Sequence, residues 1–297
     1  MTEPLVAAVE AGGTKIICAM GRSWEEVLSA EKHTVATGEP DETIRQVTSW
    51  FDGLSAAAEI AAVGVAAFGP LDLCRGRVGP TPKPGWSGFD WRAAIARWRP
   101  EAAFGFETDT NGAAMAEGAW GAGVGRQVCA YVTVGTGIGG GAIIGGEPVH
   151  GLVHPEIGHT RIPRQPGDDF AGVCPFHGDC LEGMASGPAI EVRWGRPGRD
   201  LEHDHPAWEL EGRYLAVAVT NLAMTLSPEV IVMGGGVMEA PGLLDKVCRG
   251  TRDLVAGYVD SDLLGPRIDR YIVAPGLGSA SGVLGAFAAG RRALGRL

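Results

Sequence analysis

Apolar positions along the chain follow two periods. Residues 5–20, "LVAAVEAGGTKIICAM", read as an apolar run, a Gly-Gly turn and a second β-rich run, which predicts a β-hairpin. Residues 131–146, "YVTVGTGIGGGAIIGG", repeat that plan, and the two copies open the two halves of the chain, pointing to a duplicated α/β unit. Between them, "ETIRQVTSWFDGLSAAA" has helical spacing and "IAAVGVAAFGP" is a buried-strand run ending in Gly-Pro. "AFGFETDTNGAAMAEGAW" predicts a strand ending near Asp109 and a helix starting near Asn111, with Asn111 as its cap. In the second half, "GRYLAVAVTNLAMTL" is helical and "EVIVMGGGVM" is a buried strand running into three glycines. "SGVLGAFAAGRRAL" predicts a C-terminal amphipathic helix whose basic end suits the helix dipole. Strands alternating with helices predict a largely α/β architecture. Residues 148–187 fit neither period, and a loop of that length in a compact domain needs something to hold it.

A chain of 297 residues is long enough for two domains with separate cores. Hydrophobic residues at 45% and charged residues at 20% place it among ordinary globular proteins. The 47 glycines follow no collagen-like period, so they point to tight turns and close backbone approaches. Lys+Arg 25 against Asp+Glu 35 gives a net charge of −10, which argues against a nucleic-acid partner but not against a nucleotide. The start lacks a basic leader segment and carries Glu3 and Glu10. Residues 127–146 are uncharged, yet their Gly and Thr density favours strand, turn, strand over a membrane span. The expectation is a cytoplasmic protein with no membrane partner.

Of six cysteines, Cys18, Cys74, Cys129 and Cys248 are scattered and read as small core residues. Cys174 and Cys180 are clustered with histidines as H-x14-C-x2-H-x2-C over His159, Cys174, His177 and Cys180. Thiolate and imidazole suit Zn²⁺, held tetrahedrally by four such ligands in structural sites. On spacing alone His150, His154, His203 and His205 compete for the fourth place. A site with four protein ligands has no open position, so the ion is read as structural, holding a segment without a core of its own. Glu156 and Glu182 flank the cluster and suit the gripping of hydroxyl groups.

"AGGTK" (11–15) and "GTGIGG" (135–140) place backbone N–H groups and a threonine hydroxyl at strand turns, where they can cradle phosphate oxygens. Lys15 adds a cation to the first. Neither is a Walker A sequence and neither leads into a helix, which disfavours a Rossmann fingerprint. "GGGVM" (234–238) follows a buried strand, where glycines let a flat ring lie on backbone, and "SGPAI" (186–190) is a helix start. Asp109, at a strand's carboxyl end before a helix, stands where open α/β sheets bind ligands and can accept a proton from an attacking hydroxyl.

Together "EAGGTK", "TDTNGAA", "VGTGIGGG", "HPEIGH", "CPFHGDCLEG" and "GGGVM" resemble, in order and over essentially the whole chain, the ROK family of sugar kinases. "TPKPGW" (81–86) and the C-x2-H-x2-C spacing resemble its bacterial fructokinase branch. The resemblance implies a duplicated actin-like, ribonuclease H-like ATPase fold of two α/β domains with a cleft. Residues 1–118, joined by a helix at about 280–297, would form the first domain, and residues 119–279, with a zinc loop at 150–185, the second. It implies ATP-dependent transfer of the γ-phosphoryl group to the 6-hydroxyl of a hexose, fructose above all, with Mg²⁺ and a structural Zn²⁺. By motif, Asp109 matches the catalytic base, and Asn111, Glu156, His159 and Glu182 match the sugar contacts. Gly12, Gly13, Thr14, Lys15, Thr136 and Gly137 match the phosphate loops; Pro188, Gly234, Gly235, Gly236, Val237 and Met238 match the adenosine side. Glu10 departs from the aspartate of many superfamily members, which leaves the Mg²⁺ ligands open. A homodimer is implied. The alternatives are a glucokinase or mannokinase of the same family, or a non-catalytic sugar-binding module; a repressor of the family would need a DNA-binding helix-turn-helix ahead of Leu5.

Overall fold

The first glycine turn forces a hairpin: β1 (Leu5–Ala11) and β2 (Lys15–Gly21) pair antiparallel from Val6↔Gly21 to Ala11↔Ile16. The coordinates are a computed structural model describing residues 3–297 except Ser55, Ala57 and Ala58. After β2 come α1 (Trp24–Ser29), β3 (His33–Ala36) and α2 (Pro40–Asp52). Pro40 sits in the first turn of α2, where it needs no donor, and the Glu39 carboxylate accepts from the N–H groups of Asp41 and Glu42. The helical spacing of 42–58 ends as helix at Asp52, and Ser55, Ala57 and Ala58 lie outside the described residues. β4 (Ile60–Ala67), the short strands β5 (Leu71–Asp72) and β6 (Arg77–Val78), α3 (Trp91–Trp98), β7 (Ala103–Thr108) and α4 (Asp109–Trp120) follow.

In the second half, β8 (Val128–Val134) and β9 (Ile138–Ile144) form the second hairpin, paired from Val128↔Ile144 to Val134↔Ile138. Then come β10 (Glu147–Pro148), α5 (Leu181–Ala185), α6 (Gly187–Trp194), α7 (Ala207–Thr225), β11 (Val230–Gly234), α8 (Leu243–Val255), β12 (Ile272–Val273) and α9 (Ser281–Ala293). Among the described residues the chain packs as two compact units. One comprises Met1–Trp120, Pro148–His154 and Ala280–Leu297; the other comprises Gly121–Glu147 and Pro155–Ser279.

The sheet of the first unit has the order β3-β2-β1-β4-β7, with β1, β4 and β7 parallel. Both of its faces are covered, which is why β1 and β4 read as nearly continuous apolar runs. Val9, Val63, Val65 and their odd-numbered neighbours join a core with Val47, Phe51, Trp86, Trp91 and Ile95. The opposite face is made of small residues, and α9 lies on it almost backbone to backbone. A Cβ on Gly64 would fall 1.9 Å from the Ala286 carbonyl oxygen, and one on Gly105 would fall 2.0 Å from that of Ala289. On the α4 side, a Cβ on Gly285 would fall 2.3 Å from the Gly112 carbonyl carbon. α9 is therefore not the amphipathic helix its spacing suggests. From Val283 to Gly290 it is buried, and only its arginine end reaches water. Gly64→Ala must push α9 off the sheet and should cost about 1–3 kcal/mol, the usual range for overpacking. Urea unfolding checks this, and an unchanged midpoint would contradict the packing described.

The sheet of the second unit has the order β10-β9-β8-β11-β12, with β8, β11 and β12 parallel, so it repeats the plan of the first. α7 and α8 pack through small residues as well: a Cβ on Gly250 would meet the Ala216 Cβ at 2.8 Å. No described helix is long and apolar enough to cross a membrane.

Candidate functional site

Register places the ligand-capable groups of the first unit on one edge. Glu10, Ala66 and Glu107 stand level on β1, β4 and β7, and Ala11, Ala67 and Thr108 end the parallel strands together. The chain then turns at Gly12–Thr14 after β1 and enters α4 at Asp109 after β7. The turn is closed by the Gly12 N–H donating to the Lys15 carbonyl at 3.0 Å. Thr37 staples it, its hydroxyl donating to the Gly12 carbonyl at 2.7 Å and its N–H to that of Thr14 at 3.0 Å. Gly13, Thr14 and Lys15 stay exposed.

Asp109 is the first residue of α4 and half-buried, and its Oδ1 accepts from the Thr110 N–H at 2.8 Å. The capping role read for Asn111 belongs to Thr108, whose hydroxyl accepts from the Asn111 N–H at 3.1 Å. The helix starts one turn earlier because the strand's last residue already carries a capping oxygen. Asn111 is fully buried; its amide donates to Glu107 Oε1 at 3.3 Å and to the Val149 carbonyl at 3.4 Å.

Glu10 as a residue is half-buried, but its Oε2 is shut from solvent and has no hydrogen-bond partner among the described residues. Its carboxylate lies against the start of α9, where a Cβ on Gly282 would fall 2.2 Å from Oε1. Burial, then the charge of Asp109, push its pKa up to about 7 against an opposing pull from Lys15. A carboxyl whose folded pKa lies above its unfolded value of 4.5 stabilises the fold below 4.5 and loses that contribution as pH rises through about 7. Burial also raises Glu211, in the second unit, so a comparison with the parent protein is needed to isolate Glu10. In the metal-free protein, Glu10→Gln should gain stability over the parent between about pH 5 and pH 8, by roughly 3 kcal/mol at most. Denaturant unfolding at both pH values checks it, and a constant difference would contradict the shift.

In the second unit the turn Gly135–Gly137 joins β8 to β9, with Thr136 exposed. It is held from outside: the Gly187 N–H donates to the Gly135 carbonyl at 2.7 Å, and the Ile138 N–H donates to Glu182 Oε2 at 3.0 Å. Ser186 caps α6, with Pro188 in its first turn. The 234–238 turn is bound to the same strand end, the Val237 N–H donating to the Val134 carbonyl at 3.0 Å. Gly235 has φ +92 and a Cβ there would fall 2.4 Å from the Val134 carbonyl oxygen, so a side chain is refused twice over. Gly236 is exposed with open space before it, and Met238 closes the turn by donating its N–H to the Gly235 carbonyl at 3.0 Å.

His159, Cys174, His177 and Cys180 come together, one ligand atom from each lying within 4.8 Å of the others. His159 Nδ1 is 3.7 Å from Cys174 Sγ and 3.6 Å from Cys180 Sγ, and His177 Nδ1 is 3.7 Å from Cys174 Sγ. Zn–S and Zn–N bonds of ordinary length at the tetrahedral angle give an S···N edge of about 3.6 Å, so the donor set fits an ion of that size. Three of the four rival histidines are engaged elsewhere. His154 Nε2 accepts from the Leu71 N–H at 2.9 Å, His150 pairs with Glu107, and His205 Nδ1 accepts from the Ala207 N–H at 3.2 Å. Use of Nδ1 by His159 turns its Nε2 toward Glu182, 4.0 Å from Oε1. Gly158 explains why this loop sits where it does: a Cβ there would fall 1.7 Å from the Ile138 carbonyl oxygen. Glu156 is exposed at the start of this 3₁₀ turn, its carbonyl accepting from the His159 N–H at 3.0 Å. Cys18, Cys129 and Cys248 are buried, but Cys74, read as a core residue, is exposed.

Sequence reasoning missed Glu107 altogether and offered His150 only as a spare ligand. Glu107 is buried, and no signal along the chain links it to a partner 43 residues away.

Two units built on one sheet plan, each with a glycine hairpin on its first parallel strand, define an actin-like, ribonuclease H-like ATPase fold. The chain belongs to the ROK family, whose family model matches residues 6–292. It is 42% identical over 298 residues to a fructokinase of Zymomonas mobilis, covering 96% of this chain and 95% of that protein. It is 36% identical over 295 residues to a fructokinase of Pediococcus pentosaceus, covering 98% and 99%. Among solved structures, the ROK hexokinase of Thermus thermophilus matches with a TM-score of 0.79 at 27% identity, over 98% of this chain and 99% of that one.

Proposed function

We propose that this protein is an ATP-dependent fructokinase that transfers the γ-phosphoryl group of ATP to the 6-hydroxyl of D-fructose, with Asp109 as general base. The observation that carries the reading is the common sheet edge where Asp109, close enough to Glu10 for its charge to be felt, stands with Lys15 and the Gly12–Thr14 turn. Asp109 accepts the proton of the 6-hydroxyl as that oxygen attacks the γ-phosphorus. Lys15 and the N–H groups of Gly12–Thr14 and of Thr136 and Gly137 meet the phosphate oxygens. Positioning and charge stabilisation do most of the work in such a transfer. Pro188 and Gly234–Met238 form the adenosine side, and Asn111, Glu156, His159 and Glu182 the sugar side.

The Cys/His cluster suits Zn²⁺ in a structural role, since four protein ligands leave no place for substrate. The orphaned oxygen of Glu10 suits a residue that holds Mg²⁺, directly or through water; bound there, the ion would offset phosphate charge. The homodimer implied by the resemblance belongs to the same reading.

A coupled assay of ADP release across D-fructose, D-mannose and D-glucose tests the proposal. The highest kcat/KM should fall on D-fructose. A preference for glucose or mannose would move the assignment within the family, and ATP turnover indifferent to sugar would overturn it.

A further inference from the structure

Two side chains that meet near the end of β7 have no part in the reading above. Glu107, two residues before Asp109, is 5% exposed, and its carboxylate takes three donors. Oε1 accepts from the Thr108 N–H at 2.7 Å and from Asn111 Nδ2 at 3.3 Å, while Oε2 meets His150 Nε2 at 2.8 Å. The His150 side chain is 34% exposed, so the ring is neither a core group nor a free surface group. Its segment is fastened on both sides. The Val149 carbonyl accepts from Asn111, and His154 sits in a niche where its Nε2 accepts from the Leu71 N–H and its ring packs on Gly69, 3.2 Å from where a Cβ would stand. This places His150 over the carboxyl ends of β4 and β7, the edge where open α/β sheets bind ligands.

We infer that His150 is a further sugar-binding residue, its Nδ1 accepting a hydrogen bond from a hexose hydroxyl, and that Glu107 is the positioning residue that fixes its tautomer. The inference rests on the kinase reading. A carboxylate can only accept, so Nε2 carries a proton, and the uncharged form of the ring then has its lone pair at Nδ1. A neutral polyol offers donors that such a lone pair can receive, while Asp109 serves the one hydroxyl that reacts. Glu107→Gln makes the point sharply. Its carbonyl oxygen must stay on the Thr108 and Asn111 donors, so the new amide NH₂ faces Nε2. The imidazole must then carry its proton at Nδ1 instead.

The test uses the full-length protein. His150→Ala should raise the KM for D-fructose by about 5- to 150-fold, the range for a lost hydrogen bond, with the KM for ATP and kcat little changed. In ¹⁵N spectra recorded above the imidazole titration range, the parent should show the Nε2–H tautomer of His150 and Glu107→Gln the Nδ1–H tautomer. Adding D-fructose to the parent should shift the Nδ1 resonance, and adding ADP should not. An unchanged sugar KM in a folded His150→Ala, or an Nδ1 resonance indifferent to fructose, overturns the assignment while leaving the kinase intact. Loss of kcat and of both KM values together would make His150 merely structural and also overturns it. A parent protein that turns over no hexose overturns the kinase reading itself, and this assignment with it.

Discussion

Asp109→Asn should lower kcat with D-fructose and ATP by about 10²–10⁴-fold, the range for a lost general base. The substitution targets proton acceptance while keeping the contact at the helix start. Asn has the same shape, and its side-chain oxygen can still accept from the Thr110 N–H, as Asp109 Oδ1 does at 2.8 Å. The helix start stays capped by the Thr108 hydroxyl, so α4 should form as before. The carboxylate's charge is also removed from beside Glu10, which relieves one cause of that group's raised pKa. The variant should therefore be at least as stable as the parent at neutral pH, and the loss of rate cannot be assigned to unfolding. Steady-state kinetics with a thermal melt in parallel decide it; near-normal turnover in a folded variant would remove Asp109 from its role.

Chelation should loosen residues 157–183 and raise the sugar KM. Two thiols and two imidazoles hold a stretch whose own core is thin, and a structural ion in such a segment supplies most of its folding free energy. Burial pushes the Cys180 thiol up to about 11, so without a cation that thiol keeps its proton and is no thiolate ligand. The loosening should stop at a second fastening that needs no metal. Asp168 accepts from Arg193 and from the Tyr214 hydroxyl, both at 2.5 Å, and Arg193 also donates to the Met184 carbonyl at 3.1 Å. Hydrogen exchange after chelation should show fast exchange around Cys174–Cys180 and retained protection at α7. Sugar affinity that survives complete metal removal would contradict the supporting role of the loop.

Much of this was legible along the chain because the governing patterns are local. The two hairpins follow from glycines between β-rich runs, and the Cys/His cluster from thiols and imidazoles at two-residue gaps. What stayed hidden depends on contacts far apart in sequence. α9 reads as amphipathic because its arginines are at one end, yet its burial is set by Gly64 and Gly105, on strands that no periodicity ties to it. Thr108 and Asn111 are both capping types, and only the end of β7 decides between them. Cys74 looked apolar by composition but lies between β5 and β6, in an exposed turn. Glu107 and His150 meet across 43 residues, through a segment whose helical or strand character is nil.

The most direct measurement follows phosphorus. With ATP and D-fructose carrying ¹³C at carbon 6, the ³¹P spectrum should gain a phosphoester resonance split by that carbon, at a rate that Asp109→Asn lowers by about 10²–10⁴-fold. Inorganic phosphate in its place, or a phosphoester without the carbon splitting, would contradict transfer to the 6-hydroxyl.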